Sequence, residues 1–251
     1  MRIRLACVLA LVLWFGPERA APADDVLTVS LYDGNGSPAQ QGFSYLAFPA
    51  GASAVQVDAT LDTTPATADL AGFFARPARV PPLDRQAGYT LRFRVQLSSE
   101  AHAGSDRNAD GVDDRAGLSV LVLSSDARGI ELGFWTDRVW AQADGSAEPP
   151  AGALFTHAEE AAWDTTAPTT YELAIAGDTY TLRAGTEEIL TGPLRDYQAF
   201  AGAINPYRTP NLLFLGDDTS SAAATMTFGP ISLTTPRRDE RILLPLVTRD
   251  G

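Results

Sequence analysis

Tyr89-Thr90-Leu91-Arg92-Phe93-Arg94-Val95-Gln96-Leu97 decides the fold class. Apolar and polar residues alternate here without a break. Side chains on a strand point to opposite faces in turn, so this pattern predicts a strand with one buried and one wet face. The same period returns at Tyr171, Leu173 and Ile175 and again at Tyr180 and Leu182. Gly177-Asp178 lies between the two runs, which predicts a hairpin with a tight turn. Leu118 to Leu123 is apolar almost throughout and fits a central strand covered on both faces. Ile130 to Trp135, Val139 to Ala143, Leu212 to Leu215 and Met226 to Leu233 add further strands. No segment shows a long 3.6-residue period. Ala66 to Phe74 has room for a helical turn, cut short by Pro65 and Gly72. Short strands with frequent turn signals predict an all-β protein, an antiparallel two-sheet sandwich or a barrel.

The 251 residues are 45% hydrophobic and 20% charged, a globular composition. All basic residues are Arg, and the formal charge is -12. That balance excludes nucleic acid as a partner, because phosphate binding needs a positive face. Residues 1–23 read as a secretory signal: Arg2 and Arg4, the apolar run Leu5 to Phe15, then Ala21-Pro22-Ala23 as a cleavage site. The run is too short for a membrane span, which needs about 20 apolar residues. Its removal takes away Cys7, the sole cysteine, so the exported chain is held by its core rather than by disulfides. Residues 24–235 read as one sandwich domain. Residues 236–251 form a distinct tail, a charge run followed by Ile242-Leu243-Leu244-Pro245-Leu246-Val247. The tail reads as a last strand or clip on its own domain, or as a docking segment for a neighbour.

Ser105 to Asp114 carries the clearest chemical signal. Asp106, Asn108 and Asp110 stand at positions 1, 3 and 5 of a calcium-loop pattern, with Gly111 at the turning position 6. The Val112 carbonyl falls at position 7 and Asp114 at position 9. Gly117 stands where a bidentate Glu closes an EF-hand, and a strand follows instead of a helix. The expected site is therefore a weak calcium loop between strands, with affinity of ~10⁻⁴–10⁻³ M. A second acidic pair, Asp217-Asp218, follows Gly216 and reads as a polar turn or as a neighbour of the metal.

Signals for catalysis are weaker. His102 and His157 have no third ligand at zinc spacing. No Gly-x-Ser-x-Gly elbow occurs. Glu131 is followed on its own face by Gly133 and Trp135, so paired carboxylates on one strand are missing. No catalytic residue is assigned. Trp135, Trp140, Trp163, Tyr197 and Tyr207 are candidates for stacking on sugar rings, with core packing as the competing role.

Tyr171 to Ile175, Thr179 to Leu182 and Glu188 to Gly192 together resemble the back sheet of the concanavalin A-like lectin/glucanase superfamily, in particular its laminin-G-like members. Asp113 to Val120, Gly129 to Trp135 and Leu213 to Asp218 resemble the bacterial choice-of-anchor domains. The resemblance implies a jelly-roll sandwich, often with calcium, on an exported protein. It implies little about activity, because that fold carries lectins, hydrolases, lyases and scaffolds. The expected function is a secreted, non-enzymatic module that binds glycan or a cell-surface component. A carbohydrate-active hydrolase or lyase using Glu131, and a structural envelope or matrix protein, are the alternatives.

Overall fold

The computed structural model describes residues 26–146, 153–202 and 205–237. The proposed signal, and the tail from residue 238 onward, lie outside the described residues. Two antiparallel sheets face each other. The first runs β13 (Glu187–Pro193), β12 (Thr179–Ala184), β11 (Thr169–Ala176), β6 (Tyr89–His102), β15 (Ala222–Pro236), β4 (Thr60–Asp62), β3 (Val55–Val57). β1 (Val26–Tyr32) pairs with the far half of β15. The second runs β10 (Leu154–Ala162), β9 (Arg138–Asp144), β8 (Gly129–Phe134), β7 (Leu118–Leu123), β14 (Leu213–Asp217), β5 (Leu70–Ala75), β2 (Phe43–Phe48). This is an all-β antiparallel two-sheet sandwich, as the alternating strands imply, with only short 3₁₀ turns as helix among the described residues.

The alternating run from Tyr89 lies at the centre of the first sheet. Tyr89, Leu91, Phe93, Val95 and Leu97 point inward and are buried. The hairpin anticipated around Gly177-Asp178 forms with Ala176 opposite Thr179. Phe93, Tyr171 and Phe134 meet between the sheets, with Phe93 stacked on Tyr171 at 5.3 Å and Phe134 edge-on to both. Such aromatic burial supplies the main driving force, at about 25 cal/mol per Å² removed from water.

One expectation fails. Ala66 to Phe74 makes no helical turn; β5 occupies Leu70–Ala75. Ala71, Phe73 and Ala75 face the core in strict alternation, and Phe73 packs edge-on against Phe228. Burial of that period-2 face outweighs the local Ala-rich preference for helix.

β7 is buried along its whole length, as the dense apolar run implies. Leu118, Val120 and Val122 enter the sandwich core, while Leu121 and Leu123 join a second cluster on the outer face. Tyr197, Phe200, Tyr207 and Leu212 close that outer cluster from the segments 194–202 and 205–212. Residues 103–117 lie beside it and bring Arg107 and Arg115 onto Phe155. Together they position the site.

Candidate functional site

The acidic loop is pinned at its base. The Trp135 indole donates to the Arg115 carbonyl at 3.1 Å, and the Gln142 amide donates to the Asp114 carbonyl at 3.1 Å. Both donors project from the outer face of the second sheet. Asp114 itself is buried and accepts from the Arg107 backbone N–H at 2.6 Å. Burial holds its carboxyl above the ordinary range, against that hydrogen bond. Asp113 accepts from the Ser105 N–H at 2.7 Å.

Pinning the loop delivers Arg115 to the sheet. Its guanidinium lies 2.9 Å from the Glu131 carboxylate and 2.8 Å from Asp218, and it is 4.5 Å from the centre of the Phe155 ring. Glu131 is fully enclosed. It accepts from the Tyr207 hydroxyl at 2.6 Å, and its backbone N–H donates to the Tyr197 hydroxyl at 3.1 Å. Burial, then the Asp218 charge, pushes the Glu131 carboxyl up to about 7 against the pull of Arg115. Asp217 is equally hidden, facing the sandwich core beside Ala71. Burial raises it to about 8.

Beside this network opens a cavity of about 400 Å³. Its walls are mainly aromatic and aliphatic, from Phe48, Phe74, Phe155, Phe200 and Phe214. Its polar side is Arg107, Arg115, Tyr207, Asp218 and Thr219. Leu46 and Phe48, on the edge strand β2, are each 53% exposed and form an apolar rim. Gly72 keeps the floor open and lets Phe214 settle: a Cβ there would stand 2.3 Å from that ring. Phe155 adopts φ +65°, a left-handed conformation that costs a bulky residue about 1–3 kcal/mol. It is held there among Tyr197, Phe200 and Tyr207.

Of the aromatic candidates from the sequence, only Tyr207 lines this cavity. Trp135 and Trp140 are buried and offer no free face for a sugar. Trp135 stacks on His102 at 3.9 Å, and Trp140 stacks on His157 at 4.1 Å. Trp163 is half-buried and packs against the sandwich core. Tyr197 is sealed beneath Tyr207. Trp135 and Trp140 pack with Ala116 of the acidic loop on the outer face, while Trp163 packs on the core side.

The calcium candidates divide into two groups. Asp106, Asn108 and Asp110 wrap the loop tip. Asp106 accepts from Gly111 N–H at 2.9 Å, and Asp110 accepts from Val112 N–H at 2.8 Å. Gly111 takes φ +89°, the turn its position requires. Asp114 instead anchors the base. Among the described residues, no three His, Cys, Asp or Glu side chains converge as a metal site. The tip therefore fits the first half of the pattern, with Asn108 as a neutral member, and lacks a closing carboxylate.

Sequence reasoning missed Arg115, Arg107 and Phe155. Arg115 was adjacent to a recognised motif, yet nothing local marks an arginine that will be buried. Asp218 reads in the sequence as half of a polar turn; the fold brings it to Arg115 at the foot of the acidic loop.

No family model matches the chain, and no curated protein matches it. The narrower likeness to choice-of-anchor domains therefore rests on its sequence residues alone. Solved structures show distant similarity. A carbohydrate esterase from the Shiga toxin-encoding bacteriophage phi24B is 15% identical, over 84% of this chain and 100% of its own, with TM-score 0.49. The exoplasmic/lumenal domain of VIP36, in a form bound to Ca²⁺ and Man3GlcNAc, is 9% identical over 84% and 89%, with TM-score 0.46. The Crh5 transglycosylase in complex with NAG is 11% identical over 88% and 90%, with TM-score 0.47. At such distances these proteins decide nothing about the chemistry of this chain.

Proposed function

We propose that this protein is an exported, non-enzymatic sandwich module that binds glycan in the cavity between β2 and the Tyr207 loop. The observation that carries the reading is the pairing of walls. Phe48, Phe74 and Phe200 keep part of their surface open on one side, and Arg115, Asp218 and Thr219 offer fixed donors and acceptors on the other. A sugar ring presents the same two-sidedness, C–H faces and hydroxyl edges. Glu131 supports binding over catalysis. It is the carboxyl whose pKa best suits acid–base work, yet it lies sealed behind Arg115 and Tyr207, out of reach of a glycosidic oxygen.

The loop tip is proposed as a weak calcium seat, made by Asp106, Asn108, Asp110 and the Val112 carbonyl. An ion there would fasten the loop that carries Arg107 and Arg115. It would draw on water for the rest of its six to eight ligands.

The test is a glycan array probed with the mature protein, followed by incubation of each bound glycan and chromatography of the products. Binding with no change in the glycan supports the reading. Cleavage or deacylation of the bound glycan would overturn the non-enzymatic part. Silence across the array would overturn glycan binding.

A further inference from the structure

We infer that the cavity selects a sugar bearing a carboxylate, a uronic-acid ring whose anionic group is received by Arg107 at the mouth. This deepens the glycan reading and rests on it. Two guanidiniums share one aromatic ring here. Arg115 stands 4.5 Å and Arg107 5.5 Å from the centre of Phe155. Arg115 is ion-paired on two sides, with Glu131 and with Asp218. Arg107 is not. Among the described residues its guanidinium meets no carboxylate within ion-pair distance and makes no hydrogen bond. Meanwhile Asp106 and Asp110, the nearest acids in sequence, and Asp114 accept from backbone N–H groups of the same loop.

The head of Arg107 is open to an incoming anion. Arg107 is exposed at the mouth; partial desolvation and the like charge of Arg115 work against its cation, while the charges of Asp114 and Glu131 work for it. The face of Phe155 attracts both guanidiniums while the two like charges repel each other, and an anion received between them relieves that repulsion. The chain as a whole carries a charge of -12, yet among the described residues no carboxylate forms an ion pair with this head. A planar guanidinium receives a planar carboxylate through two parallel hydrogen bonds, a geometry that an ammonium cannot reproduce. The strained Phe155 backbone keeps the ring under both heads. A neutral hexose would leave Arg107 as it is. A uronic acid would complete it while its ring lies along Phe74 and Phe200.

The experiment is calorimetric titration of the mature protein with uronic-acid oligosaccharides of differing ring stereochemistry, each beside its methyl ester. The ester keeps shape and removes charge. Arg107→Gln, Arg107→Lys and the remote control Arg183→Gln are titrated in parallel, with thermal melting to confirm folding. The inference expects one acid to bind at least tenfold tighter than its ester. It expects that preference to vanish in Arg107→Gln, to fall in Arg107→Lys and to persist in Arg183→Gln. Equal affinity for acid and ester, untouched by Arg107→Gln, overturns the inference and leaves glycan binding standing, as does binding of neutral glycans alone. Failure of every saccharide, neutral and acidic, overturns the underlying reading as well.

Discussion

Arg115 lies 2.9 Å from Glu131, and neither residue is more than 3% exposed. A charged pair at this depth does not stabilise a fold merely by existing, because both ions give up hydration. It becomes costly to break, because the survivor is left charged in an apolar setting. Arg115→Met is expected to cost about 3–5 kcal/mol, since Glu131 and Asp218 both lose their cation. Urea unfolding measures this. A loss below about 1 kcal/mol would mean that the pair is solvated in solution.

The Tyr207 hydroxyl closes the same network from the other side, 2.6 Å from Glu131. Tyr207→Phe keeps the ring and removes the donor. Hydrogen bonds to charged groups contribute about 1.5–3 kcal/mol, and a loss of that size is expected. Tyr207→Phe in an Arg115→Met background should cost less than it does alone, because the two residues hold one carboxylate. Strict additivity in the double-mutant cycle would contradict the network.

Stability should fall as pH rises through neutrality. Asp217 is raised to about 8 and Glu131 to about 7, each chiefly by burial. Both are ionised far earlier in the unfolded chain, so between about pH 4 and pH 8 the folded state holds more protons. That contribution is complete below the unfolded pKa and is lost as pH climbs through the folded one, at up to about 1.4 kcal/mol per pH unit per group. Asp62, Asp126 and Asp144 are lowered and act oppositely, losing stability as pH falls through their folded values. The melting temperature should therefore peak in mild acid and drop by several degrees at pH 8.5. Asp217→Asn should flatten the alkaline limb. A flat profile in the wild type would contradict the burial of Asp217.

Gly133 lies directly under Trp140, where an added Cβ would stand 2.5 Å from the indole. Gly133→Ala is expected to cost about 1–3 kcal/mol through overpacking. It should also perturb tryptophan fluorescence. A neutral substitution would show that the Trp140–His157 stack is loose.

Calcium at the loop tip should raise the melting temperature slightly. Binding at ten times the dissociation constant adds roughly 1.4 kcal/mol, which is about 3–5 °C for a domain of this size. Differential scanning fluorimetry with 5 mM calcium and with chelator measures it. Asp106→Ala should abolish the increment. No shift in the wild type would leave the tip as a turn held by its own hydrogen bonds.

The strands were legible because their cause is local. The alternation from Tyr89 to Leu97 and the turn at Gly177-Asp178 each state their structure within ten residues. Leu70 to Ala75 was less legible, because its apolar face is interrupted by Gly72 and its neighbours are helix-tolerant. The site was barely legible. Arg115, Glu131, Phe155, Tyr207 and Asp218 come from five different segments, and no period relates them. The acidic loop drew attention to itself through its spacing. The chemistry it serves lies in Arg107 and Arg115, whose placement at the cavity only the tertiary fold decides. Tryptophans drew attention as sugar platforms because of their type, yet loops that return over the second sheet bury Trp135 and Trp140 and leave phenylalanines at the opening.

The most direct test is a nitrogen-15 NMR titration of the mature protein with the best glycan from the array. Shifts concentrated on Leu46, Gly72, Tyr207 and Thr219, with the glycan chemically unchanged at the end, are the predicted result. Shifts elsewhere on the sandwich, with these four residues unmoved, would contradict the assignment of the cavity as the sugar site.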